Sequence, residues 1–140
     1  MDTIVVGLDS SPLAPRVLAE AVELAQRFGA RLVAVRGVGL PMEVPHEALG
    51  IRPDELATRL RDAGHAQLTT LVAAVPKDVP TQVEAHFGTP WQSIIEIADR
   101  EKARFVVVGS HGHGAMDRLL GTTATRVVHH ATCTVVVVRC

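Results

Sequence analysis

The chain has 140 residues, 47% of them hydrophobic and 21% charged, a balance typical of a globular protein long enough to bury a core. Its 14 basic and 15 acidic side chains nearly cancel and the basic residues are scattered, which argues against binding to nucleic acid or an anionic membrane. With three phenylalanines, one tryptophan and no tyrosine, it also has too few aromatic rings for a base-stacking surface.

The N-terminal segment MDTIVVGLDS lacks the features of a targeting sequence. It has no basic stretch, and its apolar run from Ile4 to Leu8 is too short for a signal peptide or a membrane span. We therefore expect a cytoplasmic protein. Cys133 and Cys140 flank a predicted strand that would hold them about 23 Å apart, so we expect both to be reduced thiols.

Short β-branched runs alternate with helical patterns, which is typical of parallel strands joined by crossover helices. The first run is continuously hydrophobic, so we expect it to be buried on both faces, whereas the third alternates between polar and apolar residues and is expected to be half-exposed. The five predicted strands span residues 4–8, 31–35, 81–87, 105–108 and Thr134–Val138.

Helix signals occupy the segments between these strands. Ser10 or Ser11 offers a cap for a first helix that Pro12 opens. Gly29 is expected to end that helix, and Thr89 offers a cap for the third helix. The second and fourth helices are predicted over residues 53–75 and 122–130, with an irregular loop over residues 37–50.

The stretch VVVGSHGHGAMDRLLGTT, residues 106–123, follows the fourth predicted strand. In an open parallel sheet, ligands bind beyond the carboxyl ends of the strands, where the winding direction reverses. Glycines let backbone N–H groups approach an anion, and a helix beginning near Thr122 directs its free N–H groups to the same space. Together with the hydroxyls of Thr122 and Thr123, these features favour a phosphate-binding turn.

Other interpretations of the stretch remain open. It could be a turn that only reverses the chain, or a metal site in which His111 and His113 join His129 or His130. Against a metal, no cysteine or carboxylate has the spacing of a tetrahedral site, and adjacent histidines are not expected to share a helix face. A P-loop is excluded because no lysine follows the glycines, and Asp117 is interpreted as a solvated loop charge.

Three segments together resemble the universal stress protein family: IVVGLDSSP at the start, GTPWQSIIEIADREKARFVVVGSHGHG in the middle and HHATCTVVVVR at the end. The resemblance covers nearly the whole chain and implies one domain over residues 1–140. The implied fold is a flavodoxin-like α/β sandwich of three layers, with a five-stranded parallel sheet in the order 3-2-1-4-5. It further implies a dimer and, in one branch, an adenine nucleotide at the carboxyl ends of strands 1 and 4.

The nucleotide-binding branch carries the motif G-x2-G-x9-G-[ST]. By position, Gly109 and Gly112 match its first two glycines, and Gly121 with Thr122 matches its last pair. Eight residues, HGAMDRLL, separate Gly112 from Gly121 here instead of nine, which shifts the second half of the site. We nevertheless expect nucleotide binding to be retained, because both glycine ends and the threonine pair are intact.

The resemblance also implies the remaining contacts of a bound nucleotide. The family's acid after the first strand falls on Asp9, and its adenine contact falls near Val35. His113 and Thr123 are also candidate phosphate contacts, because each lies next to a residue that matches the motif and each could donate a hydrogen bond to phosphate. The implied ligand is ATP or AMP, with or without Mg²⁺, and no metal is expected to be held by protein side chains alone.

Two hypotheses follow from the sequence. The first is a nucleotide-binding stress-response regulator, and the second is a dimeric interaction protein that has lost nucleotide binding through the shortened loop. No activated nucleophile is evident, so catalysis is expected to be limited to slow ATP hydrolysis or autophosphorylation. A homodimer through Thr134–Val138 is expected in both cases, because an uncovered apolar edge strand favours pairing.

Overall fold

The computed structural model describes residues 1–39, 50–111 and 119–139. The five strands of the described residues run parallel in one sheet of order β3-β2-β1-β4-β5, which confirms the expected flavodoxin-like α/β sandwich. The strands are β1 Thr3–Gly7, β2 Arg31–Val38, β3 Thr81–Phe87, β4 Phe105–Gly109 and β5 Thr134–Val138. The helices are α1 Ala14–Phe28, α2 Pro53–Val72, α3 Pro90–Arg100 and α4 Thr122–His130.

Alternate side chains of the central strands enter two separate cores. Ile4 and Val6 of β1 pack with α1 and with Leu68 of α2. Val5, between them, packs on the other face with α4 and with Ile97 of α3. Because helices cover both faces of the sheet, Ile4, Val5 and Val6 of β1 are all buried, as the continuous hydrophobic run predicted.

The helix starts differ in detail from those predicted. α1 begins at Ala14 rather than at Pro12, and no side chain caps its first turn. The N–H of Ser11 instead donates to Asp9 Oδ1 at 2.9 Å, so this segment forms a side-chain-stabilised turn directly after β1. Thr89 does precede α3, but its side chain makes no capping hydrogen bond.

β2 continues past its predicted end at Val35 and includes Gly37 and Val38. These added residues pair with the last part of β3, where Gly37 lies beside His86. A Cβ atom on Gly37 would lie only 2.5 Å from Cα of Pro90, the first residue of α3. The glycine that suggested a loop therefore lies in a strand, at a close approach between β2 and α3.

A polar cluster lies on β3, the edge strand next to β2. Glu84 accepts hydrogen bonds from Arg100 of α3 and from His86, whose Nε2 lies 3.0 Å from Glu84 Oε1. Burial raises the pKa of Glu84, but the hydrogen bonds from Arg100 and His86 outweigh it, so the pKa lies below its ordinary value of 4.5.

This cluster is expected to make the fold sensitive to acid. A carboxyl whose pKa is lowered by folding stabilises the native state above its unfolded pKa, and the contribution is lost as pH falls through the folded pKa. The unfolding temperature, measured by circular dichroism from neutral pH down to below the ordinary glutamate range, should therefore fall further for the native chain than for Glu84→Gln. Equal falls would contradict a stabilising role for the Glu84 charge.

Candidate functional site

A cleft of about 520 Å³ opens at the carboxyl ends of β1 and β4. β1 lies between β2 and β4. The chain adds β2 and β3 on one side of β1 and then β4 and β5 on the other, so the winding direction of the sheet reverses at β1. Ligands bind at such reversals in open α/β sheets. Six of the candidate residues line the cleft: Asp9, Val35, Gly109, Gly121, Thr122 and Thr123. Gly112 and His113 lie outside the described residues.

The cleft lining divides into an apolar and a polar part. On the side of β2 and α3 it consists of Val35, Gly37, Pro90 and Ile94. On the side of β4 and α4 it consists of residues 109–111 and 121–124, which offer hydroxyl and backbone groups. Asp9 follows β1, which lies between these sides, and its carboxylate is exposed. This arrangement suits a ligand with a flat apolar end and an anionic end.

Backbone hydrogen bonds of Ser110, the residue after β4, connect the end of that strand with the start of α4. The N–H of Gly121 donates to the Ser110 carbonyl at 2.7 Å, and the Ser110 N–H donates to the Val138 carbonyl at 2.8 Å. The start of α4 is therefore fastened to the end of β4, across the eight-residue connection whose shortness suggested displacement.

The start of α4 supplies the backbone donors of the polar part. Its first residues, Thr122, Thr123 and Ala124, precede Thr125, whose N–H donates to the Gly121 carbonyl at 2.9 Å as the first hydrogen bond of the helix. The helix therefore offers their N–H groups no partner of its own, and its dipole places partial positive charge at the cleft. The N–H groups of Gly121 and Ser110, by contrast, are already used within the protein.

The glycines at the strand ends have a packing role that the sequence did not predict. A Cβ on Gly109 would lie 3.0 Å from Leu13 Cδ2 and 3.1 Å from Val17 Cγ2, and a Cβ on Gly7 would lie 2.4 Å from Ile94 Cδ1. Gly109 thus allows α1 to approach β4, and Gly7 allows α3 to approach β1. A larger residue at Gly109 would disturb packing as well as any ligand.

The described histidines among the proposed metal ligands, His111, His129 and His130, lie in two places, and His113 lies outside the described residues. His111 is buried in the cleft lining, with its Nδ1 3.1 Å from Ser110 Oγ. The ring of His130 stacks on that of Trp91, with centroids 4.7 Å apart, and meets the ring of His129 edge-on at 4.8 Å. Within the described ranges, no group of three or more histidine, cysteine, aspartate or glutamate residues is placed to hold a metal ion.

Ser11 is a cleft residue that the sequence reasoning missed. Its side chain was assigned as a helix cap, yet the residue is 5% exposed and lines the cleft. In the part of the chain that the structure describes, its Oγ has no hydrogen-bond partner. The signal was present in the order Asp-Ser-Ser after a strand, which is typical of a side-chain-stabilised turn at a ligand-binding edge.

A second cavity, of about 650 Å³, lies between α1 and the end of α2, and we call it the α1–α2 groove. Its lining includes Leu18, Val22 and Leu71, with the ion-paired Glu23 and Arg27 at 2.8 Å among them. None of the sequence-predicted site residues in the described ranges lines it. No helix of the described chain is both long and apolar enough to span a membrane.

Residues 1–139 match the universal stress protein family, and the chain belongs to that family. A universal stress protein of Thermus aquaticus is 33% identical over 141 residues, which cover 98% of each chain. The solved structure of universal stress protein UspA from Lactobacillus plantarum is 27% identical, with a TM-score of 0.74, and the match covers 99% of this chain and 97% of that one.

Two solved structures of similar fold are complexes with adenine nucleotides. One is a universal stress protein in complex with cAMP, 23% identical with a TM-score of 0.70, covering 98% of this chain and 96% of that one. The other is the universal stress protein from Archaeoglobus fulgidus in complex with dAMP, 21% identical with a TM-score of 0.61, covering 98% and 97%. At these identities the likeness concerns the fold.

Proposed function

We propose that this protein is a cytoplasmic, adenine-nucleotide-binding regulator of the stress response that acts as a homodimer of one domain, residues 1–140. One observation carries the proposal: a single cleft at the sheet reversal combines an apolar wall, an exposed carboxylate and the N-terminus of a helix. The adenine nucleotides held by proteins of the same fold support it.

Each part of the nucleotide has a matching part of the cleft. The base is assigned to the apolar side, against Val35 and Pro90. Asp9 accepts hydrogen bonds from the ribose hydroxyls, and the phosphate lies at the start of α4, where Thr122 and Thr123 donate. ATP and AMP both fit this scheme, with or without Mg²⁺, and Gly112 and His113 remain proposed contacts from the sequence.

The competing hypothesis is a dimeric interaction protein whose shortened loop prevents nucleotide binding. It requires the two halves of the phosphate site to be displaced from each other. The hydrogen bond of 2.7 Å from the Gly121 N–H to the Ser110 carbonyl supports nucleotide binding instead, since it holds the start of α4 at the end of β4.

The proposal is tested on purified protein in two ways. After denaturation, chromatography of the supernatant should reveal adenine nucleotide that co-purified with the chain. Calorimetric titration of nucleotide-free protein with AMP and with ATP should then show binding in the micromolar range for at least one of them. No binding of either at millimolar concentration would overturn nucleotide binding and favour the interaction protein.

The dimer is proposed to form through β5. This strand is one edge of the sheet, and Val135, Val136 and Val137 on it are only half-buried, although all three are apolar. The opposite edge strand, β3, carries the charged cluster around Glu84. An apolar edge favours pairing whereas a charged one opposes it, so a second copy of the chain is expected to cover β5.

Val136→Lys should convert the dimer into a monomer. Val136 and Val83 are both half-buried valines of edge strands, packed against the same core, so Val83→Lys on β3 is a matched control that should remain dimeric. Val138 is avoided because it is 5% exposed and a lysine there would disturb the core. Sedimentation that shows the native chain as a monomer at micromolar concentration would contradict the dimer.

A further inference from the structure

The charges around the cleft restrict the charge of its ligand. Among the described residues that line the cleft, none is lysine or arginine, and Asp9 is the one carboxylate. With His111 counted as neutral, the described lining therefore carries one negative charge.

Among the described residues, the groups that can meet an anion there are neutral donors. They are the N–H groups at the start of α4 and the hydroxyls of Thr122 and Thr123. A helix N-terminus is equivalent to roughly half a positive charge, and its effect fades within the first turn. That suits a single phosphate group, whereas the outer phosphates of a triphosphate would add negative charge without a described cation to meet it.

Ser11 is a second, independent indication of a small ligand at this position. It is 5% exposed, it belongs to the lining next to Asp9, and its Oγ lacks a hydrogen-bond partner within the described residues. Buried hydroxyls are seldom left without a partner, so an oxygen of a ligand close to the end of β1 would supply the missing bond. The unpaired hydroxyl thus favours a ligand held close to the strand ends.

From these charges and donors we infer that the cleft selects adenine nucleotides with a single phosphate group, such as AMP or cAMP, over triphosphates. The inference rests on the proposed nucleotide binding and specifies its ligand class. The preference applies to nucleotides without Mg²⁺, because Mg²⁺ can be held by one carboxylate together with the nucleotide's own phosphates, and Asp9 of the described lining is such a carboxylate.

Calorimetric titration of the nucleotide-free native chain with AMP, cAMP and ATP, each with and without Mg²⁺, tests the preference. Without Mg²⁺, at least one single-phosphate nucleotide should bind tenfold or more tightly than ATP, a difference of about 1.4 kcal/mol, and Mg²⁺ should narrow that difference. ATP binding as tightly as both AMP and cAMP without Mg²⁺ would overturn the preference but leave nucleotide binding intact. Absence of all binding would overturn both.

A pair of charge-neutralising variants tests the cause of the preference. Asp9→Asn removes the negative charge from the cleft and should narrow the AMP-to-ATP affinity ratio at least threefold. Asp2→Asn makes the same change in net charge outside the cleft lining, where Asp2 pairs with Arg104 at 2.7 Å, and should leave the ratio unchanged. Equal ratios in the native chain and both variants would overturn the electrostatic cause.

Discussion

Replacing Gly37 by alanine is expected to destabilise the folded chain by roughly 1–3 kcal/mol and to abolish nucleotide binding. The new Cβ would lie 2.5 Å from Cα and 2.8 Å from N of Pro90. Both are backbone atoms and cannot rotate aside as a side chain can, so the end of β2 and the start of α3 must separate. These two elements form the apolar side of the cleft.

Gly39→Ala is the matched control, because a Cβ there would meet nothing within 4 Å. It changes the same residue type two positions further along the chain and should leave stability and binding unchanged. Thermal unfolding followed by circular dichroism compares the two variants. If both variants unfold at the temperature of the native chain, the close approach between Gly37 and Pro90 does not limit the stability of the fold as proposed.

Asp9→Ala should weaken AMP binding by about ten- to a hundredfold, since a hydrogen bond to a charged group contributes on the order of 1.5–3 kcal/mol. The variant loses the proposed ribose contact and also the acceptor of the Ser11 N–H at 2.9 Å. Calorimetric titration with AMP measures the loss, and circular dichroism checks that the fold is kept.

Asp9→Asn separates these two effects. Its side-chain oxygen can still accept the Ser11 N–H, so the turn after β1 should persist while the charge is lost. AMP affinity should therefore fall less than in Asp9→Ala. Native affinity in Asp9→Ala would show that the nucleotide does not contact this turn.

Much of the fold follows from local patterns, since continuous apolar runs predicted buried parallel strands and turn residues marked the helix ends. Gly29, for example, has a φ of 61° and ends α1 as its residue type indicated. Glycines inside elements were harder to interpret. A Cβ on Gly64 of α2 would lie 2.7 Å from Val38 Cγ2, a contact with a residue far away in sequence. Local patterns contain no information on such approaches.

The sequence likewise indicated only some of the residues that line the cleft. Asp9, Gly109 and Thr122 meet because the carboxyl ends of parallel strands lie at one edge of the sheet, which topology alone implies. Ser11 was assigned to a helix cap, and Pro90 directly follows Thr89, the cap assigned to the third helix. Their place in the cleft depends on where α1 begins and how closely α3 approaches β2, which only the folded chain shows.

The most direct test of nucleotide binding in this cleft is amide chemical-shift mapping of the ¹⁵N-labelled chain titrated with AMP. The largest shifts should fall on Asp9, His111, Thr122 and Thr123, which line the cleft at the ends of β1 and β4. Shifts confined to the α1–α2 groove, or no shifts at millimolar AMP, would contradict the assignment of the nucleotide site.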